Sequence, residues 1–314
     1  WFEKRGVRLK TEADNRMFPE SNTSETIINC LVETAESLKI RLSYKSKVTA
    51  INPTDKGIEL DINEQKLLFD KVIIASGGTP KKEGLNWLKD LGYSIVNPVP
   101  SLFTFNLANK DICKLMGLSI PKAIATIKGS KLKQEGAMLI THWGLSGPSI
   151  LKLSAWGAEE LAKRNYNFTV GVNWLAINEE ELRVQFSTIT ASRKLMHKHN
   201  PFDVPKRLWK FILDKLEISD SQIWGELTKK NKNRLINTLI NDAFEVRGKT
   251  TFKEEFVSCG GINLSDINMN TMESKLHKGV YFAGEILNID GVTGGFNFQA
   301  AWTTGYLAGK NSAI

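Results

Sequence analysis

A chain of 314 residues with 41% apolar and 24% charged side chains is long enough for two domains and too apolar to be disordered. Its formal charge of +8 permits contact with nucleic acid or an acidic substrate, so the location of the excess matters. No apolar run approaches the roughly 20 residues of a membrane-spanning helix, no secretory leader opens the chain, and Cys30, Cys113 and Cys259 are too scattered for a disulfide framework. A soluble protein of the reducing cytoplasm is expected.

The opening run begins at Trp1 and reads as the middle of a chain, so a preceding segment is expected. Thr23 to Leu38 places Ile27, Ile28, Leu31, Val32, Ala35 and Leu38 on one side of a helix, with Ser21, Thr23 and Ser24 as capping candidates. Arg41–Ile51 and Gly57–Ile62 then alternate around Asp55-Lys56-Gly57, which predicts a hairpin. Lys71 to Ala75 (KVIIA) is a continuous apolar run of the kind buried on both faces in a parallel sheet, and it ends in Ser76-Gly77-Gly78.

After Asn97 the texture changes. Pro98 and Pro100 punctuate the chain, Ala123–Ile127 and Ala137–Ile140 are strand-like, and a domain boundary is expected at 97/98. From Asn178 to about Asp242 the pattern is helical, with Asn178 and Glu181 as a capping pair and Leu208, Trp209, Ile212 and Leu216 at helical spacing. Between Arg193 and Arg234 eleven Lys and Arg stand against five Asp and Glu, so +6 of the +8 lies in that stretch. Trp209 and Trp224 among those cations admit binding to RNA or single strands. The favoured reading is an amphipathic subdomain with Trp and Leu inward and the cations in water, because the aromatics keep helical register. Strand character returns at Phe244, and Gly279–Ala283 is a second buried strand. No internal repeat or low-complexity tract appears.

The C-terminal segment carries the strongest chemical signal. The strand ends in Gly284-Glu285, and the loop Asp290-Gly291-Val292-Thr293-Gly294-Gly295 leads into a helix from Phe296 to about Ala308. A carboxylate at such a strand end can accept hydrogen bonds from sugar hydroxyls. Gly294 and Gly295 let a ligand approach the backbone, and the helix start offers unpaired N–H groups to phosphate or a flavin carbonyl. The strand with Ser76-Gly77-Gly78 is a weaker signal alone and gains weight beside this one. His142, between Thr141 and Trp143, is the candidate for orienting a substrate or moving a proton. His197 and His199 form an HxH pair without further ligands at motif spacing, so a solvated loop and no metal site are expected. Cys259 has no activating base nearby in sequence and is left outside the site.

Arg16-Met17-Phe18-Pro19-Glu20-Ser21-Asn22, the strand IIASGG, Thr141-His142-Trp143-Gly144-Leu145-Ser146-Gly147-Pro148, Thr271-Met272-Glu273-Ser274 and FAGEILNIDGVTGGFNFQAAW occur in this order. Together they resemble the motifs of a bacterial flavoprotein family, that of the aminoacetone oxidases and the bile-acid-pathway flavin reductase, within the two-dinucleotide-binding-domain flavoproteins. The resemblance implies an α/β fold in which a partial Rossmann-like FAD-binding domain is interrupted by a strand-rich domain carrying a small helical subdomain. The corresponding divisions are 1–97, 98–268 with the helices at about 178–242, and 269–314. It also implies FAD as cofactor, with NAD(P)H as a possible electron donor and a small organic substrate.

Carried over by position, Val48 approaches the adenine through its backbone, while Ala75, Ser76, Gly77 and Gly78 flank the dinucleotide. Glu285 meets the ribityl or ribose hydroxyls, Gly294, Gly295, Phe296, Asn297, Phe298 and Gln299 lie against the isoalloxazine ring, and Gly284, Asp290 and Gly291 complete the cofactor-binding set. Arg16 and the Phe18-Pro19 turn are placed near the same pocket. Two departures stand out. The sequence contains no GxGxxG turn with its ribose-binding acid, and the run Thr79-Pro80-Lys81-Lys82-Glu83-Gly84 is shorter than the family's glycine-rich loop. The expectation is therefore a flavin-dependent oxidoreductase without its pyrophosphate turn. The alternative is a nucleic-acid-associated protein using the basic helices, without redox activity.

Overall fold

The computed structural model describes residues 1–13, 15–79, 81–189, 192–250 and 257–314, and only the backbone of Lys82. Pro80 in the run Thr79–Gly84, and Thr190 and Ala191 in the helical stretch, lie outside the described residues.

The hairpin β1 (Leu9–Thr11) and β2 (Met17–Pro19) leads into α1 (Ser24–Ser37). α1 forms where its pattern predicts, but its expected inner side is largely open. Cys30 is its buried residue, while Ile28 and Leu31 face outward. Amphipathic spacing shows what a helix can bury, not whether a neighbour covers it.

The expected hairpin is present as β3 (Val48–Thr54) and β4 (Gly57–Ile62), extended by β5 (Gln65–Phe69) into a three-stranded antiparallel sheet. Gly57, at φ +137°, is required after the turn, because a Cβ there would lie 2.6 Å from the Phe69 carbonyl oxygen. β6 (Val72–Ile74), α2 (Asn86–Asp90) and β7 (Ile95–Ser101) follow.

The middle of the chain runs through β8 (Thr104–Leu107), β9 (Ser119–Ile127), β10 (Lys133–Ile140), β11 (Gly144–Ser146), α3 (Pro148–Trp156), α4 (Ala158–Lys163) and β12 (Asn167–Asn173). The helices α5 (Glu179–Ile189), α6 (Lys206–Lys215) and α7 (Lys229–Asn241) precede β13 (Asp242–Thr250). The strands close into a barrel in the order β10-β11-β8-β13-β12-β9, so no barrel edge is left unpaired. Both predicted strand pieces lie in it.

α5 starts on the predicted capping pair. Glu181 N–H donates to Asn178 Oδ1 at 2.8 Å, and Asn178 N–H donates back to Glu181 Oε2 at 3.3 Å. Leu208, Trp209, Ile212 and Leu216 all point inward, and Trp209 stacks on Trp224 with ring centroids 5.8 Å apart. Their indole N–H groups donate to the carbonyls of Met196 and His199, so neither ring is offered to a nucleobase. His197 departs from the solvated loop expected for it. Its Nε2 lies 3.2 Å from the Ile218 carbonyl and 3.1 Å from Asp220, both brought to it by the chain beyond α6.

At the barrel's base Trp174 Nε1 donates to the buried Asp242, which also pairs with Lys215. Burial raises the Asp242 pKa, and Lys215 and Trp174 oppose that rise.

β14 (Val257–Ile262) runs antiparallel to β7, and β15 (Ile267–Asn268), β16 (Glu273–Ser274) and β17 (Val280–Phe282) follow, before the C-terminal α8 (Phe296–Ser312). A second sheet has the order β15-β16-β17-β6, with β17 and β6 parallel and Phe282 opposite Ile74. β6 is the end strand of that sheet. Ile74 is buried, but Ile73 is 40% exposed, so KVIIA is covered on one face and not on both. A run of apolar residues reads the same whether or not a layer lies over its second face. The architecture is α/β, a partly Rossmann-like sheet unit interrupted by a strand-rich barrel that carries its own helices.

Candidate functional site

Because β6 and β17 run parallel, their C-terminal ends finish together, where open α/β sheets hold ligands. Ala283 N–H donates to the Ile74 carbonyl at 3.0 Å, which sets Ala75–Gly78 beside Gly284-Glu285. Two glycine turns more than 200 residues apart in sequence thus lie side by side. Gly78 sits tightly between its neighbours, since a Cβ there would come within 3.0 Å of Ser258 Oγ and 3.3 Å of Glu285 Oε2. Ser258 in turn donates to the Thr79 carbonyl at 3.0 Å.

Glu285 is half-buried, and burial pushes its carboxyl above the usual range. The Gly78 N–H, donating to it, pulls the other way, and Asp290 adds to the rise. Asp290 is also pushed up by burial, partly offset by the Cys259 thiol donating to it. Cys259 is itself pushed up to about 12 by burial and by Asp290. Nothing in the sequence signals this pair, because β14 and the loop after β17 meet only in the fold.

The loop closes onto α8 through Asn297. Gly291 N–H donates to Asn297 Oδ1 at 2.7 Å, and Asn297 Nδ2 donates to the Gly291 carbonyl at 3.1 Å. From the other side Gly284 N–H donates to Thr304 Oγ1 at 2.9 Å, fixing the strand end against the helix. Gly295, immediately before α8, has φ +85° and no capping side chain, and the first turn of α8 holds no acid. Its first N–H groups and the positive end of its dipole therefore remain available to an electron-rich group. Nothing lies within 4 Å of where a Gly295 Cβ would project. Phe296 and Phe298 are exposed beside it, and Gln299 Nε2 donates to Thr303.

Other expected residues stand apart among the described contacts. Val48 is exposed at the start of β3, opposite Ile62. Arg16 places its guanidinium 5.5 Å from the Phe18 ring. His142 follows β10, with its ring 4.5 Å from that of Trp143.

Carboxylates for hydroxyl groups and an uncapped helix start beside open space suit the sugar and the polar ring edge of a flavin. The sequence supplies no GxGxxG turn for the diphosphate. A family profile described as HI0933-like protein Rossmann domain matches residues 1–311. The chain belongs to this family of FAD-binding flavoproteins, which at family level makes it a flavin-dependent oxidoreductase. Three curated relatives are each 25% identical to it. A ribosomal RNA dihydrouridine synthase of Escherichia coli K12 aligns over 98% of this chain and 76% of its own length. A 3-dehydro-bile acid delta(4,6)-reductase of Clostridium scindens aligns over 100% and 79%, and a ribosomal RNA dihydrouridine synthase of Haemophilus influenzae over 90% and 71%. No helix among the described residues is long and apolar enough to cross a membrane.

Proposed function

We propose that this protein is an FAD-dependent reductase that takes electrons from NAD(P)H and saturates an electron-poor carbon–carbon double bond, in a small organic substrate or in a base. The observation that carries the flavin reading is the uncapped start of α8 at Gly294-Gly295, fixed beside the Gly78–Glu285 crevice. The reaction class is supported by the relatives' names, since forming a dihydrouridine and reducing a delta(4,6) unsaturated acid both saturate such a bond.

Flavin, when bound, supplies two-electron chemistry at its ring. The chain's own part is binding and electrostatics. Glu285 and Asp290 accept hydrogen bonds from the sugar chain. The backbone of Ala75–Gly78 and of Val48 borders the nucleotide. Gly291 and Gly294–Gln299 face the ring, where the α8 dipole stabilises negative charge. His142 is proposed to hold the substrate or its proton. We propose also the division into 1–97, 98–268 and 269–314, supported by one apolar core spanning Phe103–Val246 and a second drawn from both sides of it, to which Ile262 and Ile267 also contribute.

Gly295→Val tests the reading. It forces a β-branched residue to φ +85° and fills the open space, so FAD affinity should fall at least about tenfold while the barrel stays folded. Unchanged affinity in that variant would overturn it. For the reaction class, NADPH should bleach the bound flavin's visible band, and an enone or a uridine should restore it; no bleaching by NADPH or NADH contradicts the proposed donor.

A further inference from the structure

The barrel turns one lysine inward against the pattern of its own strand. Along β13, Phe244 and Val246 are buried while Glu245 and Arg247 face water. Strict alternation would put Gly248 on the inner side next and send Lys249 outward with Arg247. A bulge prevents this. Val246 stands opposite Leu107 and Lys249 opposite Phe105, so three steps along β13 match two along β8, with Gly248 at φ +85° taking up the extra residue. Lys249 thereby shares the face of the wholly buried Phe105, and its Nζ lies 4.8 Å from the centre of the Tyr166 ring. The same bulge holds Tyr166, because Gly248 N–H donates to its carbonyl at 2.9 Å. This is the end of the barrel nearest the sheet unit, since Thr250 is opposite Thr104, and β7 gives way to β8 just before Thr104.

Turning a lysine inward removes water from its charge, and no described neighbour offsets that loss. Lys249 is half-buried, and burial lowers its pKa. Burial also raises the pKa of the Tyr166 hydroxyl, which therefore stays a proton donor at neutral pH. Among the described residues, neither the Lys249 ammonium nor the Tyr166 hydroxyl has a hydrogen-bond or ion-pair partner. The acids of the neighbouring elements are engaged elsewhere. Glu245 accepts from Thr169 Oγ1 at 2.6 Å on the outer face, and Glu160 of α4 pairs with Arg164. Glu254 and Glu255, the next acids along the chain, lie outside the described residues. A bulge that re-aims a cation beside a second unpartnered donor is a device for holding a ligand, because packing alone gains nothing from it.

We propose that Lys249 and Tyr166 form a subsite for the carboxylate of a small organic acid at this end of the barrel. One ammonium and one neutral hydroxyl match a single negative charge spread over two oxygens, each able to accept a hydrogen bond. A phosphate dianion would bring a second charge with no second cation to meet it. The inference is independent of the flavin site, since no flavin contact enters it.

The test is a saturation-transfer NMR titration of sodium benzoate against the 314-residue chain at constant ionic strength, with neutral benzamide as the matched control and inorganic phosphate as competitor. Benzoate should bind saturably, benzamide at least about tenfold more weakly, and phosphate should displace benzoate poorly. Lys249→Met should lower benzoate affinity at least about tenfold and Tyr166→Phe about threefold, whereas Lys249→Arg should keep it within about threefold of the parent. Without ligand, the denaturant midpoint of Lys249→Met should equal or exceed that of the parent, because an unpartnered half-buried charge has been removed, so its loss of binding is not unfolding. FAD affinity should stay at the parent value in all three variants, which separates this inference from the flavin reading. Absent benzoate binding, benzamide binding as tightly as benzoate, or a Lys249→Met protein that binds like the parent would each overturn the proposal. So would benzoate affinity that rises about tenfold when Glu254→Gln and Glu255→Gln are combined, since the partner of the lysine would then be its own chain.

Discussion

Three large aromatics of the barrel unit and three on α8 are treated in opposite ways, although Trp143 and Trp156 at the barrel unit's surface are exposed too. In the barrel and its helices Trp174, Trp209 and Trp224 are buried completely or nearly so. On the sheet side Trp302, Tyr306 and Phe298 line α8 in the open, Phe298 at 67% exposure, and Ile73 faces out of the end strand. A barrel satisfies its own edges and packs its interior from one continuous stretch of chain. An open α/β sheet leaves an edge strand and strand ends open to a ligand, and here the glycine turns and half-buried carboxylates gather at those ends. The larger apolar core lies in the first part and the proposed ligand site in the second.

That division predicts unequal costs for similar substitutions. Trp174→Ala should remove about 3–5 kcal/mol from denaturant unfolding of the barrel, whereas Tyr306→Ala on α8 should change stability by no more than about 0.5 kcal/mol. Equal losses would break the comparison. Lys215→Met comes next, since it strips the buried Asp242 of its cation while leaving the carboxylate inside. A cost of about 2 kcal/mol is expected, reduced from that of a fully buried pair because Lys215 is itself about a third exposed.

The sheet side should show its carboxylates through pH. Burial raises Glu285 and Asp290 above their unfolded values, so the native state keeps protons that the unfolded chain releases. Their contribution to stability is therefore present at low pH and lost as pH rises through the folded values. Bound flavin hydroxyls favour the ionised carboxylates, so FAD affinity should rise as pH climbs above the ordinary carboxylate range, and Glu285→Gln should flatten the rise. A flat profile in the parent chain would place the hydroxyl contacts elsewhere. The smallest effect concerns Cys259, whose pKa of about 12 leaves it almost wholly a thiol at neutral pH. Its alkylation by iodoacetamide should be at least about tenfold slower than that of an exposed cysteine, and Asp290→Asn should speed it.

Much of this organisation is legible in the residues, because it depends on local patterns. The Asn178–Glu181 cap, the turn at Asp55-Lys56-Gly57 and the strand–loop–helix ending in α8 each lie within a few residues of one another. What escapes the sequence depends on neighbours far along the chain. KVIIA does not reveal that one of its faces is open, and the spacing of α1 does not say that Ile28 and Leu31 are uncovered. Cys259 with Asp290, and Lys249 with Tyr166, are brought together only when the strands close.

Equilibrium quenching of FAD fluorescence by the parent chain, by Gly295→Val, by Glu285→Gln and by Lys215→Met tests the central division most directly. The account predicts saturable quenching by the parent and by Lys215→Met, with both sheet-side variants weakened at least about tenfold. No quenching by the parent, or equal affinity in all four proteins, would contradict it.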